Sequence, residues 1–206
     1  MMMLRRAFLA VALTTPLAAQ AQSWAPSRPI RLVVPFAAGG STDVAARILA
    51  ERMGETLGQP VVVENRTGSA GFIGAENVAR SAPDGHSILM GATGLLAIAP
   101  HLYATMPFNV ERDFAPVSLA FASDLVISVA NNVPARTLAE LVALARARPG
   151  ALNYATSGAG TTTHVATELF RLAAGIEMTH VPYRGSGQAM NDLVAGNVQV
   201  MVDQIA

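Results

Sequence analysis

The 206-residue sequence has no cysteine and no lysine, and aromatic residues make up only 5% of it. The absence of cysteine excludes disulfides, thiol nucleophiles and thiolate metal sites. All 14 basic residues are arginine, and 14 acidic residues balance them, so no basic excess is available to neutralise the phosphates of a nucleic acid. Hydrophobic residues make up 51% of the chain, which excludes disorder and allows a core in one large domain or two small ones.

The first 21 residues have the pattern of a secretory signal peptide. Arg5 and Arg6 precede a short apolar run, and the small residues Ala19 and Ala21 suit signal peptidase. We therefore predict cleavage after Ala21 and export of a mature chain that begins at Gln22. The apolar run is shorter than the roughly 20 residues of a membrane anchor, so we expect no membrane insertion of the mature chain. The paired arginines leave the twin-arginine route open beside the general secretory route.

Beyond this segment, short β-branched runs alternate with helical patterns, which is typical of α/β architecture. A continuous apolar run predicts a buried parallel strand over Ile30–Val34, and the helix that follows is predicted to end at Gly58. We place a boundary near residue 123, which divides the mature chain into two α/β units, 22–123 and 124–206. Further strands are predicted at 61–64, 87–90, 117–119, 125–129, 152–156, 178–181 and 198–202, and further helices at 73–80, 137–148, 165–174 and 188–195.

Two strand-to-helix turns carry the most informative chemistry. Gly39 and Gly40 lie between the first strand and the first helix, and Gly158 and Gly160 lie in a similar turn of the second unit. Glycine lets backbone amides approach a ligand closely, and a helix N-terminus offers free N–H groups with a partial positive charge. One interpretation is therefore a small anion held between two lobes. The other is that both segments are only tight turns before capped helices.

Motifs of catalysis and cofactor binding are weak in this sequence. Thr163 occupies the third glycine position of a dinucleotide-binding turn, and neither the Walker A pattern nor a nucleophile elbow is present. His164 and Glu168 form an i, i+4 pair that is more typical of a surface contact than of metal ligands. We therefore predict no catalytic residue, no metal and no cofactor. An α/β hydrolase that uses Ser41 or Ser157 remains as the alternative enzyme hypothesis.

Six motifs occur in order along the mature chain. They are P-F-x-x-G-G-x-x-D at 35–43, Q-P-V-V-V-E-N-R at 59–66, A-P-D-G at 82–85, D-F-A-P-V at 113–117, L-N-Y-A with S-G at 152–158, and H-V-P-Y-R-G at 180–185. Together, over residues 24–206, they closely resemble the Bug family, the extracytoplasmic solute receptors of tripartite tricarboxylate transporters.

The resemblance implies a periplasmic binding protein with two α/β lobes of the type II kind. Such a receptor captures a small carboxylate in the cleft between the lobes and delivers it to the membrane permease subunits of the transporter. Family members bind the ligand through backbone amides, hydroxyls and bridging waters in the two turns. The ligand-binding residues that the resemblance implies are Phe36, Gly39, Gly40, Ser41, Thr42, Asp43 and Thr93 in the first lobe, Ser157, Gly158, Gly160, Thr161, Thr162 and His164 in the second, and Tyr183 and Asp203 near the cleft or hinge.

Several of these residues have alternative roles. A carboxylate beside an anionic ligand repels it, so Asp43 is expected to cap its own helix or to accept from a ligand hydroxyl or amine. Phe36 either covers the ligand or plugs the lobe, and Tyr183–Gly185 either contacts the ligand or shapes a turn. Arg66 is expected to anchor a loop, although bidentate carboxylate binding is typical of arginine.

Family members continue well beyond the position that corresponds to Ala206. The resemblance therefore implies that the second lobe is incomplete and that the return to the first lobe is missing. We expect the strand that contains Val198, Val200 and Val202 to have incomplete cover. Three hypotheses follow from the sequence, namely a carboxylate receptor, an α/β hydrolase-like enzyme, and a truncated remnant that binds nothing. The sequence does not indicate which carboxylate is bound.

Overall fold

The computed structural model describes residues 24–205, in which seven strands form two separate sheets. The predicted signal peptide and its cleavage site after Ala21 lie outside the described residues. Over residues 24–205, no helix is both long enough and apolar enough to cross a membrane.

The first sheet is small and parallel, and its most apolar strand lies in the middle. Every residue of this middle strand except Arg31 is buried, as expected for an apolar run with a strand on either side. The strands are β1 (Ile30–Val34), β2 (Val61–Asn65) and β3 (Ser87–Leu89), in the order β2-β1-β3. The helices are α1 (Ser41–Leu57), α2 (Phe72–Ala79), α3 (Ala99–Leu102) and α4 (Val110–Asp113), and we call this group of strands and helices lobe 1.

The second sheet is larger and mixed, because β4 runs antiparallel to its neighbour while the other pairs are parallel. Its strands are β4 (Leu125–Val129), β5 (Asn153–Thr156), β6 (Thr179–Pro182) and β7 (Val200–Gln204), in the order β4-β7-β5-β6. With the helices α5 (Leu138–Ala147), α6 (Thr162–Ala174) and α7 (Ser186–Ala195), they form what we call lobe 2. The core of lobe 2 contains Tyr154, Val200 and Met201 from the two central strands.

One predicted strand, at 117–119, is wrong. Val117 and Leu119 are 85% and 82% exposed, and they lie in irregular chain between the last helix of lobe 1 and the first strand of lobe 2. A short apolar run forms a strand only where a neighbouring strand can complete its hydrogen bonds. In the described part of the chain, this segment crosses between the two sheets and pairs with neither of them.

Helix starts and short helices were also predicted incompletely. Helices α6 and α7 begin at Thr162 and Ser186, a few residues before their predicted starts. The prediction missed these first residues because polar residues and glycine add nothing to the apolar periodicity of a helix. A 3₁₀ turn (Ser69–Gly71), a π-helical turn (Gly94–Ile98) and the four-residue helices α3 and α4 are too short to show a helical pattern in the sequence.

The strand that was expected to have incomplete cover is in fact fully covered. Val198, Val200 and Val202 are 2%, 0% and 4% exposed. The reason is the order of the sheet, because β7 lies between β4 and β5 while α6 and α7 both contact it. Burial on both faces follows from this central position, which the sequence pattern alone does not indicate.

Candidate functional site

The strand-to-helix turn after β1 is supported by a carboxylate from the helix that follows it. Gly39 has a left-handed φ of 83°, and α1 begins after Gly40 without a side-chain cap. Oδ2 of Asp43 instead accepts a hydrogen bond from the Gly39 N–H at 3.0 Å and another from Arg47 at 3.0 Å. Oδ1 of Asp43 accepts from the side-chain amide of Asn65 at 2.9 Å. The carboxylate is thus occupied by donors of the protein itself.

The same contacts decide the charge of this buried carboxyl group. Asp43 is only 3% exposed, and burial by itself raises the pKa of a carboxyl group. The hydrogen bonds from Arg47, Gly39 and Asn65 together outweigh this effect, so the pKa of Asp43 lies below its ordinary value. Asp43 therefore stays ionised at neutral pH, and it supports the turn as a charged acceptor.

The turn after β5 is supported by a hydroxyl and an imidazole instead. The Ser157 N–H donates to Oγ1 of Thr163 at 3.2 Å, and the Gly160 N–H donates to Nδ1 of His164 at 3.1 Å. Gly158 and Gly160 have left-handed φ angles of 138° and 78°, which the tight turn requires. Because two amides of the turn already have partners, they are not free to bind an anion in this conformation.

A stack of rings packs behind this second turn. The rings of His164 and His180 stack with their centroids 4.2 Å apart, and His180 stacks on Tyr154 at 4.9 Å. Burial, and then the neighbouring His164, lower the pKa of His180 to about 4. The Tyr154 hydroxyl donates to Glu168, which also accepts from Arg171. At neutral pH, His180 is therefore uncharged, and it supports the turn through packing.

The two lobes touch where glycines leave room for the opposite backbone. The Gly94 N–H donates to Oγ1 of Thr162 at 3.0 Å, and a Cβ on Gly94 would lie 2.7 Å from the Thr162 nitrogen. At a second contact, a Cβ on Gly187 would lie 2.9 Å from the carbonyl oxygen of Ala38. Real Cβ atoms do not approach other atoms within 3.0 Å, so these two positions need glycine for the lobes to meet.

A cavity of about 390 Å³ lies between the lobes, and we call it the cleft. Lobe 1 lines it with the chain after β1 and with the loop Thr67–Gly71, and lobe 2 lines it with the turn after β5 and with Pro182–Arg184. Four of the residues expected at the ligand site line this cleft, namely Phe36, Ser157, Gly158 and Tyr183. The Tyr183 hydroxyl donates to Asp192 at 2.5 Å, and burial together with this bond raises the pKa of Tyr183 to about 12.

The other residues expected at the site are not part of the cleft lining. Gly160 and His164 line a second, more apolar cavity of about 380 Å³ beside α3 and α6. Asp203 is buried where β7 ends, it accepts from the Ser186 hydroxyl at 2.7 Å, and burial raises its pKa. Seven further expected residues form the two turns or the contacts with the opposite lobe, and they are Gly39, Gly40, Ser41, Thr42, Asp43, Thr161 and Thr162. Thr93 is exposed directly before the π-helical turn and does not line the cleft.

The loop Thr67–Gly71 lines the cleft, although no sequence pattern assigned it there. Ser69 and Ala70 have left-handed φ angles of 47° and 55°, a conformation that is uncommon for residues with a side chain. Strained backbone of this kind clusters at binding sites. Ala70 faces Gly158 across the cleft, since a Cβ on Gly158 would lie 3.9 Å from the Cα of Ala70. The available signal was the pair Gly68 and Gly71, which lies three to six residues after the strand β2.

The metal-ligating side chains and the two serines of the hydrolase hypothesis can be located among the described residues. Over residues 24–205, no group of three or more histidine, aspartate or glutamate side chains could hold a metal ion. The Ser41 hydroxyl donates to Gln204, and the Ser157 hydroxyl contacts Thr163. In this part of the chain neither serine is bonded to a histidine, although a serine nucleophile needs a base within hydrogen-bond reach.

Comparisons with known proteins identify relatives of the chain. Residues 45–206 match the family model of the tripartite tricarboxylate transporter family receptor. The chain is 44% identical over 198 residues to a UPF0065 protein from the tcbD-tcbE intergenic region of Pseudomonas sp. (strain P51), which covers 96% of this chain and 59% of that protein. It is 40% identical over 181 residues to BugT of Bordetella pertussis, covering 87% of this chain and 56% of BugT.

Solved structures with the same fold are also known. The R. palustris protein Rpa4515, solved with adipate, is 40% identical with a TM-score of 0.85, and the match covers 87% of this chain and 60% of that one. MatC from Rhodopseudomonas palustris, solved with bound malate, is 35% identical with a TM-score of 0.82, over 87% of this chain and 61% of that one. The chain therefore spans less than two thirds of the length of each of these proteins.

Proposed function

The chain belongs to the tripartite tricarboxylate transporter receptor family, and on that basis we propose that it is an extracytoplasmic solute-binding receptor. It captures a small carboxylate in the cleft between lobe 1 and lobe 2. It then delivers this ligand to the membrane permease subunits of a tripartite tricarboxylate transporter. The protein works in the periplasm, after removal of the predicted signal peptide.

The observation that carries this proposal is the composition of the cleft wall. Both lobes contribute to a cavity of about 390 Å³, and its lining includes four hydroxyl side chains but no aspartate or glutamate among the described residues. Hydroxyl groups and backbone amides bind a carboxylate by hydrogen bonds, whereas a carboxylate in the wall would repel it. The hydroxyl side chains belong to Thr67, Ser69, Ser157 and Tyr183.

The relatives narrow the chemical class of the ligand. Rpa4515 was solved with adipate and MatC with malate, and both ligands are short aliphatic dicarboxylates. We extend this class to the present chain and propose a small aliphatic acid as the ligand. Phe36 and Ile73 supply apolar wall for the carbon chain of such an acid. Within the described residues the hydroxyls of Thr67 and Ser69 form no hydrogen bond, so we expect them to serve its polar ends.

Calorimetric titration of the 22–206 chain with malate and with adipate tests the proposal. Each acid is paired with its neutral diamide, which has nearly the same shape without the charge. We expect binding of at least one acid and much weaker, but still measurable, binding of the matching diamide. A ligand at 100 times its Kd should stabilise the folded chain by about 2.7 kcal/mol, which a thermal melt detects.

The two alternative functions predict different results. A remnant without a ligand site would show neither heat of binding nor a shift of the melt with any carboxylate. A hydrolase would cleave a model ester, and this activity would disappear in Ser41→Ala or in Ser157→Ala. Either result would contradict the receptor function of this chain.

A further inference from the structure

Arg184 differs from every other residue of the cleft wall. Among the residues that the structure describes, it is the only one with a charged side chain in the cleft lining. The lining contains no acidic residue that could neutralise it. The cleft therefore carries one positive charge and no compensating charge in its wall.

The backbone of Arg184 is held firmly between the two lobes. The N–H of the preceding residue, Tyr183, donates to the carbonyl of Thr156 at 3.0 Å and extends the pairing of β5 with β6. The Ala37 N–H of lobe 1 donates to the carbonyl of Arg184 at 3.1 Å. A Cβ on the following residue, Gly185, would lie 2.8 Å from the Ala37 nitrogen, so the chain cannot move closer. The turn is thus built from backbone groups and does not need the arginine side chain.

The guanidinium of Arg184 is free within the described part of the chain. Eight other arginines among residues 24–205 form ion pairs with carboxylates. Arg184 is exposed, and within the same residues its side chain forms neither an ion pair nor a hydrogen bond. A free guanidinium presents five donors in a planar fork that matches a carboxylate.

Arg66 directly precedes the cleft loop Thr67–Gly71 in the chain, and its guanidinium is already paired. Its guanidinium lies 3.1 Å from Glu64, which also accepts two hydrogen bonds from Arg31. The bonds from Arg31, and then from Arg66, lower the pKa of Glu64 to about 2 against the effect of burial. Arg66 therefore neutralises a permanent carboxylate and is not free for a ligand.

We propose that the Arg184 side chain binds the ligand carboxylate in the cleft and makes the site selective for acids over their neutral analogues. This assignment rests on the proposed receptor function. The carboxylate lies at the Pro182–Arg184 end of the cleft, where two parallel N–H···O bonds from one guanidinium hold it. The selectivity follows from the ligand, because a neutral analogue offers no carboxylate for the guanidinium fork to bind.

Titration calorimetry on the 22–206 chain with malate, adipate and their diamides tests this assignment. Arg184→Gln removes the charge and the fork, and we expect its Kd for the acid to rise by about 10- to 100-fold. Arg184→Lys keeps the charge but not the planar fork of donors, so its Kd should lie between those of the unchanged chain and of Arg184→Gln. The ratio of acid affinity to diamide affinity should fall in Arg184→Gln, which a purely structural role of the side chain would not cause.

Arg52→Gln is the matched control, because Arg52 lies 75% exposed on α1 and its removal changes the net charge equally. We expect its Kd to stay within about twofold of that of the unchanged chain. Equal Kd values for Arg184→Gln and Arg52→Gln would overturn the assignment while leaving the receptor function intact. If the unchanged chain binds no acid, the receptor function and the assignment fall together. If Arg184→Gln does not fold, Arg184→Lys decides by the same ratio.

Discussion

The turns of the two lobes look alike in sequence but are supported by different chemistry. After β1, a charged carboxylate, Asp43, collects donors from Gly39, Arg47 and Asn65. After β5, a hydroxyl and an imidazole take this role, because Thr163 and His164 accept hydrogen bonds from the backbone amides of the turn. A glycine-rich strand-to-helix turn therefore does not by itself reveal whether its amides are free for a ligand.

The difference extends to the surroundings of each turn. In lobe 1 the ionised groups Asp43 and Arg47 lie on α1, and the neutral amide of Asn65 lies at the end of β2. In lobe 2 they lie against the stacked rings of His164, His180 and Tyr154. We therefore expect the two lobes to respond differently to substitution and to pH, and four experiments follow from this contrast.

The largest effect is expected from the carboxylate that supports the turn of lobe 1. Asp43→Ala leaves the Gly39 N–H and the Asn65 amide without their acceptor in a buried site. We expect the free energy of unfolding to fall by about 3 kcal/mol, as measured by urea denaturation. Glu55→Ala on the same helix is the control, since Glu55 is 59% exposed and should cost less than about 0.5 kcal/mol. Equal losses in the two variants would show that Asp43 does not support the turn.

The contacts between the lobes should be the next most sensitive. Gly94→Ala and Gly187→Ala place a methyl group 2.7 Å and 2.9 Å from the backbone of the opposite lobe. We expect each to cost about 1–3 kcal/mol and to increase the radius of gyration in small-angle scattering, because the lobes must separate. Gly54→Ala in α1 meets its nearest atom at an ordinary 3.5 Å and should instead stabilise the chain slightly. Unchanged scattering in the first two variants would show that the lobes adapt locally.

Removal of one threonine hydroxyl should lower the free energy of unfolding more in the lobe 2 turn than in the lobe 1 turn. Thr163 is 4% exposed, and Thr163→Val leaves the Ser157 N–H without an acceptor. We expect a loss of about 1–2 kcal/mol in urea denaturation. Thr42→Val makes the same change in the first turn of α1, where Thr42 is only partly buried, and should cost less than about 0.5 kcal/mol. A larger loss for Thr42→Val would reverse the roles assigned to these two hydroxyls.

The smallest effect is a difference in pH dependence. His180 has a pKa of about 4 in the folded chain against an ordinary 6.5, so the unfolded chain binds a proton first as the pH falls. Lobe 2 therefore loses stability as the pH falls from about 6.5 to about 4, because the unfolded chain takes up the proton that the folded chain excludes. The pKa of Asp43 is lowered from an ordinary 3.8, so its contribution in lobe 1 persists until the pH falls below that value.

Hydrogen exchange at pH 7 and pH 5 can measure this difference, because it reports protection for each strand. Protection factors of β5 and β6 should decrease at pH 5, while those of β1 and β2 should not. His180→Phe keeps a stacked ring without the titration and should remove most of the decrease. The same decrease in both lobes would contradict a local origin in the histidine stack.

Most of the secondary structure and the family could be predicted from the sequence. The continuous apolar run of β1 and the capping box at Thr137 and Glu140 are local signals, and the structure contains both features. The resemblance to the Bug family is confirmed by the family model and by the similarity to BugT. It could be recognised from the sequence because the six motifs depend only on the order of residues along the chain. The α/β fold of a periplasmic binding protein is confirmed by the likeness to the solved receptors.

The candidate site could be predicted only in part. Phe36 and Ser157 line the cleft as expected, but Thr42 and Thr161 lie outside its lining. Their positions in the sequence are equivalent in kind, since all of them lie in a strand-to-helix turn or in the first turn of the helix that follows it. Which of them faces the cleft depends on how the lobes are placed against each other, and no local pattern encodes that placement.

The sequence by itself determined most of the strands, the longer helices, the family and the two glycine turns, because propensity, periodicity and motif order act over short stretches of chain. Only the tertiary structure decided that Thr67–Gly71 enters the cleft, that β7 is buried at the centre of its sheet, and that Val117 and Leu119 pair with nothing in the described chain. It also decided which groups are already occupied, since Asp43 and Arg66 find partners in the described structure while Arg184 does not. The physical reason is that the burial of a residue, its strand pairing and its unused hydrogen-bonding groups depend on its neighbours in space. Those neighbours come from distant parts of the sequence.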